Sequence, residues 1–534
     1  MVSILISDKL AEEGLQVLRA AEGIEVDYRP GGLDPEELRE ILPRYDGLII
    51  RSGTKLSADV IERAEALRVI GRAGIGVDNV DLAAATARGI IVMNTPEGNA
   101  ITTAEHSISL MTSLARQIPQ ATVSMKAGRW DKSKFSGKEL FDQVIGVIGL
   151  GNIGSIVADR ARGLRMRAIA FDPMVSQERA QRLGVDLVSL DELLARADVI
   201  TIHVPLTKDT RGLLDARAFG KMKDGVLIVN AARGGIVDEA ALLAALESGK
   251  VAGAALDVFE SEPPPADHPL LARGDVIATP HVGAATAQAQ LNVAIAVAEQ
   301  VRDYLLHGVV HNAVNLPSVS ADQLEELRPF IVLGEKLGLF QGQRSVGGVQ
   351  EVDVEYAGQI AELNVQPITL SVLKGLLEPW VGERVNFVNA PIIAQQHGIR
   401  VIESKAAQPQ DFVSLLTVRV RSRDGEELVA GTLFGRTQVR IVRVDNFLLE
   451  AIPEGATLLI RNHDRPGVVG HIGSTLGEAQ VNISRMQLGL NPEGDEALQL
   501  LNVDPAPGNE VLDALRALPG IESVRLIELG ARCT

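Results

Sequence analysis

Short apolar runs alternate with helical patterns through the first half of the chain. The runs typical of buried strands are 4–6, 47–50, 69–71 and 90–94 in a first group, and 144–148, 167–171, 199–202, 226–229, 253–256 and 276–279 in a second. Between them, apolar residues recur with helical spacing, for example over 100–115. This alternation predicts an α/β fold with two parallel sheets, the second doubly wound. A last helix over 286–306 is expected to return to the first sheet.

The pattern changes after about residue 317. Residues 318–452 predict an α+β domain, with strands over 413–421 and 428–434 joined by a turn at 423–426. From residue 456, the order of strand, helix, hairpin, helix and strand predicts a ferredoxin-like unit. We therefore expect four parts: a discontinuous outer domain (1–98 and 286–317), an inserted doubly wound Rossmann domain (99–285), an intervening domain (318–452) and a ferredoxin-like domain (453–534).

Composition narrows the class of protein. The 534 residues include 52 Lys and Arg against 69 Asp and Glu, and the net charge of −17 disfavours nucleic acids and anionic membranes as partners. The single cysteine, Cys533, excludes an intrachain disulfide and a cysteine-based metal site, and we expect no metal. Apolar runs stay short of the ~20 residues of a membrane span, and residues 1–8 resemble a strand rather than a signal peptide. We expect a cytoplasmic protein.

A glycine-rich turn directly follows the first strand of the second group. Gly149, Gly151 and Gly154 have the G-x-G-x-x-G spacing, which permits a tight turn, the approach of a pyrophosphate, and close packing of helix and strand. Asp172 ends the next strand, where a carboxylate would bind ribose hydroxyls and repel a 2′-phosphate. The combination predicts NAD rather than NADP, although Asp172 could instead be a turn residue before Pro173.

Polar residues follow the neighbouring predicted strands at their carboxyl ends, where ligands bind in such sheets. They are His203, Arg233, Asp257, Glu260, Glu262 and His281. Oxidation of an alcohol beside a nicotinamide needs a base, a carboxylate that orients the base, and a cation that holds the substrate. Position alone leaves open whether the base is His203 or His281 and whether its partner is Glu260 or Glu262. Each could also be an ordinary exposed residue at a strand end.

Longer segments around these residues resemble the D-2-hydroxy acid dehydrogenase family. The segments are 230–238, 255–263 and 279–284, and segments 71–81 and 94–99 are more narrowly similar to the long-form phosphoglycerate dehydrogenases of that family. The resemblance implies that Arg233 binds the substrate, His281 is the acid/base and Glu262 is its partner. It implies NAD-dependent oxidation of 3-phospho-D-glycerate to 3-phosphohydroxypyruvate, the first step of L-serine synthesis.

The resemblance also implies which residues contact the cofactor and the substrate. The cofactor side comprises Ile75, Gly149, Gly151, Asn152, Ile153, Gly154, Asp172, His203, Val204, Pro205, Ala231, Ala232, Arg233, Asp257, His281, Gly283 and Ala284. The substrate side comprises Arg51, Ser52, Gly53, Arg72 and Gly74, a rim whose two arginines suit a phosphate and a carboxylate, together with Lys132 reaching into a neighbouring subunit. The alternatives are two solvated arginines and an ordinary loop held by a buried Trp130.

The last region is similar to the ACT domain, an amino-acid-binding module that pairs between subunits. Asn462, Asp464 and Asn482 stand where that module would bind an effector, which the resemblance implies is L-serine. A homodimer or homotetramer is expected, and an ACT domain that binds no ligand is the alternative. The intervening domain resembles the allosteric substrate-binding domain of the long-form enzymes. Arg436 and Arg440 are expected near or along a strand and on one face of it, where they could bind a phosphate-bearing effector, and a solvated sheet face is the alternative.

Two other functions compete with this one. A related reductase of glyoxylate, hydroxypyruvate or 2-oxoglutarate would need neither the arginine rim nor the appended domains. An NAD-sensing binding protein would not need the complete set of Arg233, Glu262 and His281. We expect the dehydrogenase.

Overall fold

The computed structural model describes residues 1–317, 321–345, 348–382, 384–406, 411–423 and 425–530, with only the backbone of residues 321 and 322. The predicted boundary at residue 318, the turn residue Asp424 and Cys533 lie outside the described residues. The chain divides into two compact units, Met1–Asp81 with Val92–Asn312, and Leu82–Ile91 with Ala313–Thr534. Among the described helices, none is long and apolar enough to cross a bilayer.

The first sheet has five strands. They are β1 (Val2–Ile6), β2 (Ile24–Tyr28), β3 (Gly47–Ile50), β4 (Val69–Arg72) and β5 (Ile91–Asn94), in the order β2-β1-β3-β4-β5. The helices between these strands are α1 (Glu12–Arg19), α2 (Pro35–Ile41) and α3 (Ala58–Glu62), with a 3-10 turn at Leu42–Arg44. Helix α4 (Leu82–Ala87) precedes β5 and belongs to the second compact unit. The sequence pattern missed β2, an edge strand in which apolar and acidic residues alternate, so no continuous apolar run marks it.

The second sheet is parallel and doubly wound, as predicted. Its seven strands are β6 (Val144–Ile148), β7 (Arg167–Phe171), β8 (Asp186–Leu187), β9 (Val199–Ile202), β10 (Val226–Asn230), β11 (Val251–Leu256) and β12 (Val276–Ala278), in the order β12-β11-β10-β9-β6-β7-β8. Helices α5 (Ala100–Arg116) and α6 (Ile118–Lys126) and a 3-10 turn (Lys132–Lys134) precede it. Between its strands lie α7 (Asn152–Gly163), α8 (Gln177–Arg182), α9 (Leu190–Arg196), α10 (Ala216–Lys221) and α11 (Glu239–Glu247). The two-residue β8 is too short to produce a pattern in the sequence.

Helix α12 (Ala287–His307) follows β12 and packs on the first sheet. Glycines make the close packing possible. A Cβ at Gly71 would lie 2.6 Å from Cγ2 of Val301 and 2.7 Å from Cγ2 of Val297, so a side chain there would force α12 away. The chain therefore leaves the first sheet after β5 and returns to it after β12. The exact boundaries of the outer and Rossmann domains stay predictions.

The second unit contains a mixed six-stranded sheet. Its strands are β13 (Val349–Gly358), β14 (Arg400–Ala406), β15 (Ser414–Ser422), β16 (Gly425–Phe434), β17 (Gln438–Val444) and β18 (Phe447–Ala451), in the order β14-β13-β15-β16-β17-β18. Its helices are α13 (Ala321–Arg344), α14 (Gln366–Val381) and α15 (Ala390–Gln396), with a 3-10 turn at Gln359–Glu362. The hairpin of β15 and β16 agrees with the predicted one. Arg440 lies in β17, whereas Arg436 lies in the turn before it, so the two arginines do not share a strand face.

The last sheet is antiparallel. It contains β19 (Ala456–His463), β20 (Asn482–Leu490), β21 (Glu496–Asp504) and β22 (Ile521–Glu528), in the order β20-β21-β19-β22, with α16 (Val468–Glu478) and α17 (Asn509–Arg516). Ile472 and Leu515 of the two helices share a core with Leu458 and Ile460 of β19. The predicted ferredoxin-like order of strands and helices is confirmed.

Candidate active site

The structure pairs His281 with Glu262. Nδ1 of His281 lies 2.7 Å from Oε2 of Glu262, and the other carboxylate oxygen accepts the N–H of Phe259 at 3.1 Å. A carboxylate can only accept, so Nδ1 carries the hydrogen and Nε2 keeps a lone pair. Because both side chains are partly exposed, Nε2 is accessible to a substrate hydroxyl.

The alternative base and partner, His203 and Glu260, do not contact each other in the contacts that the structure gives them. Nε2 of His203 lies 2.9 Å from the hydroxyl of Thr201, and burial lowers the pKa of His203 to about 3. A histidine with so low a pKa is a weak base at neutral pH. The backbone N–H of Glu260 donates to Glu239 at 2.7 Å, and the side chain of Glu260 is exposed. The geometry therefore favours His281 with Glu262.

Three arginines at strand ends interact electrostatically: Arg51, Arg72 and Arg233. Nε of Arg233 donates to Oδ2 of Asp78 at 2.6 Å. Arg72 donates to the carbonyl oxygen of Ala73, but its buried Nε has no hydrogen-bond partner among the described residues. Burial, and then the charges of Arg233 and Arg51, lower the pKa of Arg72 to about 10. Arg72 is still a cation at neutral pH, so the rim holds unneutralised positive charge.

The backbone of the rim is shaped by tight turns. The N–H of Arg51 donates to Oδ2 of Asp8 at 2.6 Å, which anchors the exposed turn of Ser52 and Gly53 after β3. Gly74, after β4, has a φ of +144° and lies against the neighbouring guanidinium group, where a side chain would collide. The predicted substrate-side residues, apart from Lys132, therefore lie at the ends of two adjacent strands.

The glycine-rich turn fits a dinucleotide. Gly149 has a φ of +91°, and a Cβ there would lie 2.6 Å from the carbonyl oxygen of His203. Gly154 lies so close to the carbonyl oxygen of Gly149 that a side chain would overlap it, whereas a Cβ at Gly151 would meet open space. Helix α7 begins at Asn152. The turn thus leaves room for a pyrophosphate at a helix N-terminus.

Asp172 lies next to this turn. Its Oδ2 accepts the N–H of Leu150 at 2.8 Å, and its Oδ1 accepts the N–H of Met174 at 2.9 Å. Each oxygen retains a lone pair for a ribose hydroxyl. Asn152 and Ile153 form the first turn of α7, beside the same space. The residues present therefore suit NAD, and the carboxylate of Asp172 disfavours a 2′-phosphate.

The remaining predicted cofactor-side residues also follow strand ends. Ile75 follows β4, Val204 and Pro205 follow β9, Ala231 and Ala232 follow β10, Asp257 follows β11, and Gly283 and Ala284 follow β12. Asn230 shapes one of these turns, since its side chain accepts the N–H of Ala232 and donates to the carbonyl oxygen of Arg233, both at 3.0 Å.

Three residues at the site were given no role from the sequence. Asp78 holds Arg233, Asn230 shapes the turn before it, and His106 of α5 lies 3.3 Å from Oδ1 of Asp257. Asp78 and Asn230 lie inside segments 71–81 and 230–238. Their acidic and amide side chains could therefore have been predicted to hold an arginine or to shape its turn. His106 had no local signal, because its partners Asp257 and Thr279 follow β11 and β12, far along the chain.

Lys132 does not join these residues. It lies on the 3-10 turn Lys132–Lys134, and its side chain is exposed without a hydrogen bond or ion pair within the described part of the chain. Trp130 beside it is 80% exposed. The alternative of a loop anchored by a buried tryptophan is therefore wrong.

The three predicted effector residues are not brought together within one chain. Asn462 is buried, and its side chain accepts from Nε2 of Gln499 at 2.7 Å. The register aligns Asn462 with Ala497 of β21, whereas it aligns Asn482 with Asp504. At ~3.4 Å per residue, the seven-residue offset along β21 separates the two positions by roughly 24 Å. Asp464, just after β19, lies at the Asn462 end.

A Rossmann turn, a histidine held by a carboxylate and a cationic rim are the parts of an NAD-dependent 2-hydroxy acid dehydrogenase. Comparisons with known proteins agree. The family model for the NAD-binding domain of D-isomer specific 2-hydroxyacid dehydrogenases matches residues 108–283. The D-3-phosphoglycerate dehydrogenase intervening domain matches 326–445, and the ACT domain matches 456–520.

Two relatives are similar to this chain over its full length. The D-3-phosphoglycerate dehydrogenase of Archaeoglobus fulgidus is 45% identical over 530 residues, covering 99% of this chain and 100% of the relative. That of Bacillus subtilis is 40% identical over 533 residues, with the same coverage. A glyoxylate reductase structure from Paecilomyes thermophila matches 59% of this chain and 98% of its own at 30% identity and a TM-score of 0.55. The chain belongs to the D-3-phosphoglycerate dehydrogenase family.

Proposed function

We propose that this protein oxidises 3-phospho-D-glycerate at C2 to 3-phosphohydroxypyruvate, using NAD, as the first step of L-serine synthesis. The observation that carries the proposal is the His281–Glu262 pair at 2.7 Å. The electrostatically coupled Arg51, Arg72 and Arg233 support a doubly anionic substrate. The full-length relatives with that name support the substrate.

Each residue has a defined part in the reaction. Nε2 of His281 takes the proton of the C2 hydroxyl, and the carboxylate of Glu262 stabilises the imidazolium that results. NAD, which the glycine turn and Asp172 would hold, would supply the acceptor for the hydride of C2. Arg233 holds the substrate carboxylate and stabilises negative charge on the C2 oxygen. The proton and the hydride leave the same alcohol, and the product is the 2-oxo acid.

The arginine rim accounts for selection of a phosphorylated acid. Arg51, Arg72 and Arg233 repel one another in the free protein, and burial makes the charge of Arg72 costly. A substrate that carries both a phosphate and a carboxylate relieves this repulsion and forms charge-assisted hydrogen bonds. An unphosphorylated acid relieves much less of it.

We expect the purified protein to prefer 3-phosphoglycerate strongly over D-glycerate. Arg72→Leu should lower kcat/KM for 3-phosphoglycerate by about 10²-fold, since hydrogen bonds to charged groups contribute ~1.5–3 kcal/mol each. The same change should raise the melting temperature of the free protein, because a buried and repelled cation is removed. Steady-state rates with both substrates and thermal melts measure these effects.

Arg63→Leu is the matched control, since Arg63 is exposed at the end of α3, and it should leave both substrates unaffected. Equal rates with 3-phosphoglycerate and D-glycerate would contradict the proposed substrate. That result would favour the reductase of an unphosphorylated 2-oxo acid.

We further propose that the protein is a homo-oligomer, a dimer or a tetramer, in which L-serine binds between two ACT domains. Asn482 lies far from Asn462 and Asp464 in one chain, which supports a shared site to which a second chain supplies Asn482. The edge position of β20 suits pairing with another copy. Exposed Val123, Met125 and Trp130 offer apolar surface for a second contact near Lys132. A cytoplasmic location remains a prediction from the sequence.

L-serine is expected to inhibit the parent enzyme. Asp464→Ala and Asn482→Ala should each raise the serine concentration for half-inhibition about 10-fold or more, because each removes one hydrogen bond to the effector. Neither substitution should change the rate without serine. Mixed oligomers of the two variants should recover part of the sensitivity, because one shared site per pair is then intact.

Asn509→Ala serves as the control, since Asn509 is exposed at the start of α17 and outside the proposed site. If serine changes neither the rate nor the heat measured by titration calorimetry, the ACT domain has an assembly role only. If mixed oligomers stay insensitive, the site does not lie between chains.

A further inference from the structure

A second histidine–carboxylate pair lies behind the first. Nε2 of His106, on α5, is 3.3 Å from Oδ1 of Asp257 and 3.3 Å from the hydroxyl oxygen of Thr279. Asp257 is 1% exposed, whereas the imidazole of His106 is 21% exposed. A buried carboxylate needs several donors to stay ionised, and His106 is the one side-chain N–H donor to it among the residues that the structure describes.

The hydrogen-bond directions follow from the chemistry of the groups. Thr279 donates its hydroxyl hydrogen to Oδ1 of Asp257 at 2.5 Å, so the threonine oxygen is left as an acceptor. The carboxylate also only accepts. Nε2 of His106 must therefore carry a hydrogen, which it shares between the two oxygens.

Asp257 holds the segment that carries the base. Its carbonyl oxygen accepts the N–H of His281 at 2.8 Å, its Oδ1 accepts that of Val282 at 2.9 Å, and its Oδ2 accepts that of Gly283 at 2.8 Å. Three consecutive backbone amides thus bind one residue. His281 itself has a φ of +52°, a conformation that a residue with a side chain keeps only when its surroundings hold it.

The electrostatics agree with this arrangement. Burial alone raises the pKa of Asp257, but hydrogen bonds from His106, then Thr279 and the backbone N–H groups of Val282 and Gly283, outweigh burial and bring the pKa below its ordinary value. His106 comes first among these stabilising contacts. Without His106, the ionised carboxylate of Asp257 is less stable, and it holds the backbone of residues 281–283 less firmly.

We propose that His106 is a positioning residue for the reaction, which acts through Asp257 to hold the backbone of residues 281–283 and so aims the imidazole of His281 at the substrate. The inference rests on the proposed function. His106 need not touch substrate or cofactor, and its effect is on the hydride-transfer step.

The test compares His106→Leu with His106→Gln in single turnovers, with enzyme and NAD in excess over 3-phosphoglycerate. Leucine removes the N–H donor, and the rate constant for NADH formation should fall about 10²-fold, the loss that a displacement of ~1 Å at a reacting group produces. Glutamine restores an N–H donor and should recover most of the rate. His307→Leu, the same substitution at the exposed end of α12, should match the parent.

At saturating enzyme, the rate constant separates positioning from folding, because it is set by the folded enzyme–substrate complex and not by the fraction of enzyme that is folded. The amplitude is set by the limiting 3-phosphoglycerate. A parental rate constant in His106→Leu overturns the inference, whatever the amplitude. A slow rate constant without recovery in His106→Gln also overturns it. If the parent itself forms no NADH from 3-phosphoglycerate, the proposed function fails instead.

Discussion

His281→Ala is expected to lower kcat for oxidation of 3-phosphoglycerate by about 10³-fold, within the ~10²–10⁴-fold that a positioned acid–base group contributes. The physical reason is the loss of the imidazole whose Nδ1 is fixed by Glu262 at 2.7 Å and whose Nε2 is free. The KM for NAD should change little, because the glycine turn and Asp172 are untouched. Reduction of 3-phosphohydroxypyruvate should fall equally, since the same imidazole then gives up its proton.

The measurement is a steady-state comparison in both directions, with His397→Ala as the matched control. His397 is exposed at the end of α15 and should be dispensable. Added imidazole should restore part of the rate of the His281→Ala variant by entering the space left behind. A variant that reduces 3-phosphohydroxypyruvate as fast as the parent would show that the assigned base is wrong.

Arg233→Met is expected to lower kcat/KM for 3-phosphoglycerate by about 10³-fold, the upper end of the loss measured when one donor to a developing oxyanion is removed. Arg233 is held in place by Asp78 at 2.6 Å, so its guanidinium meets the substrate without reorganising. Arg233→Lys keeps the charge but loses the planar fork and should recover only part of the activity.

Arg211→Met is the control, because Arg211 is an exposed arginine in the segment between β9 and α10. It should retain parental kcat/KM. Binding of NAD, measured by calorimetry, should survive in Arg233→Met. Full activity in that variant would remove Arg233 from the reaction, whereas loss of NAD binding alone would assign it to the cofactor.

Much of the fold was predictable because its signals are local. A buried parallel strand is a short apolar run, and a crossover helix has a spacing of three or four residues, so the doubly wound sheet could be read without tertiary information. The exceptions, β2 and β8, are an edge strand of alternating polarity and a strand of two residues. Both lack the run of buried residues that marks most other strands of their sheets.

The functional site was predictable in its parts but not in its pairings. From the residues alone, the base could be His203 or His281, and its partner could be Glu260 or Glu262. The family resemblance selected His281 and Glu262. In the structure the distinction is physical: His203 is enclosed and has a pKa near 3, whereas His281 meets Glu262 and faces outward.

The order of residues by itself determined the alternating α/β pattern, the glycine turn with its acidic partner, and the ferredoxin-like unit at the end, because each depends on spacings of a few residues. Only the tertiary structure decided that Arg233 meets Asp78, 155 positions away, that His106 supports Asp257, and that Asn482 is remote from Asn462. Such pairings depend on which strand ends the folded chain brings side by side. No local periodicity encodes that adjacency.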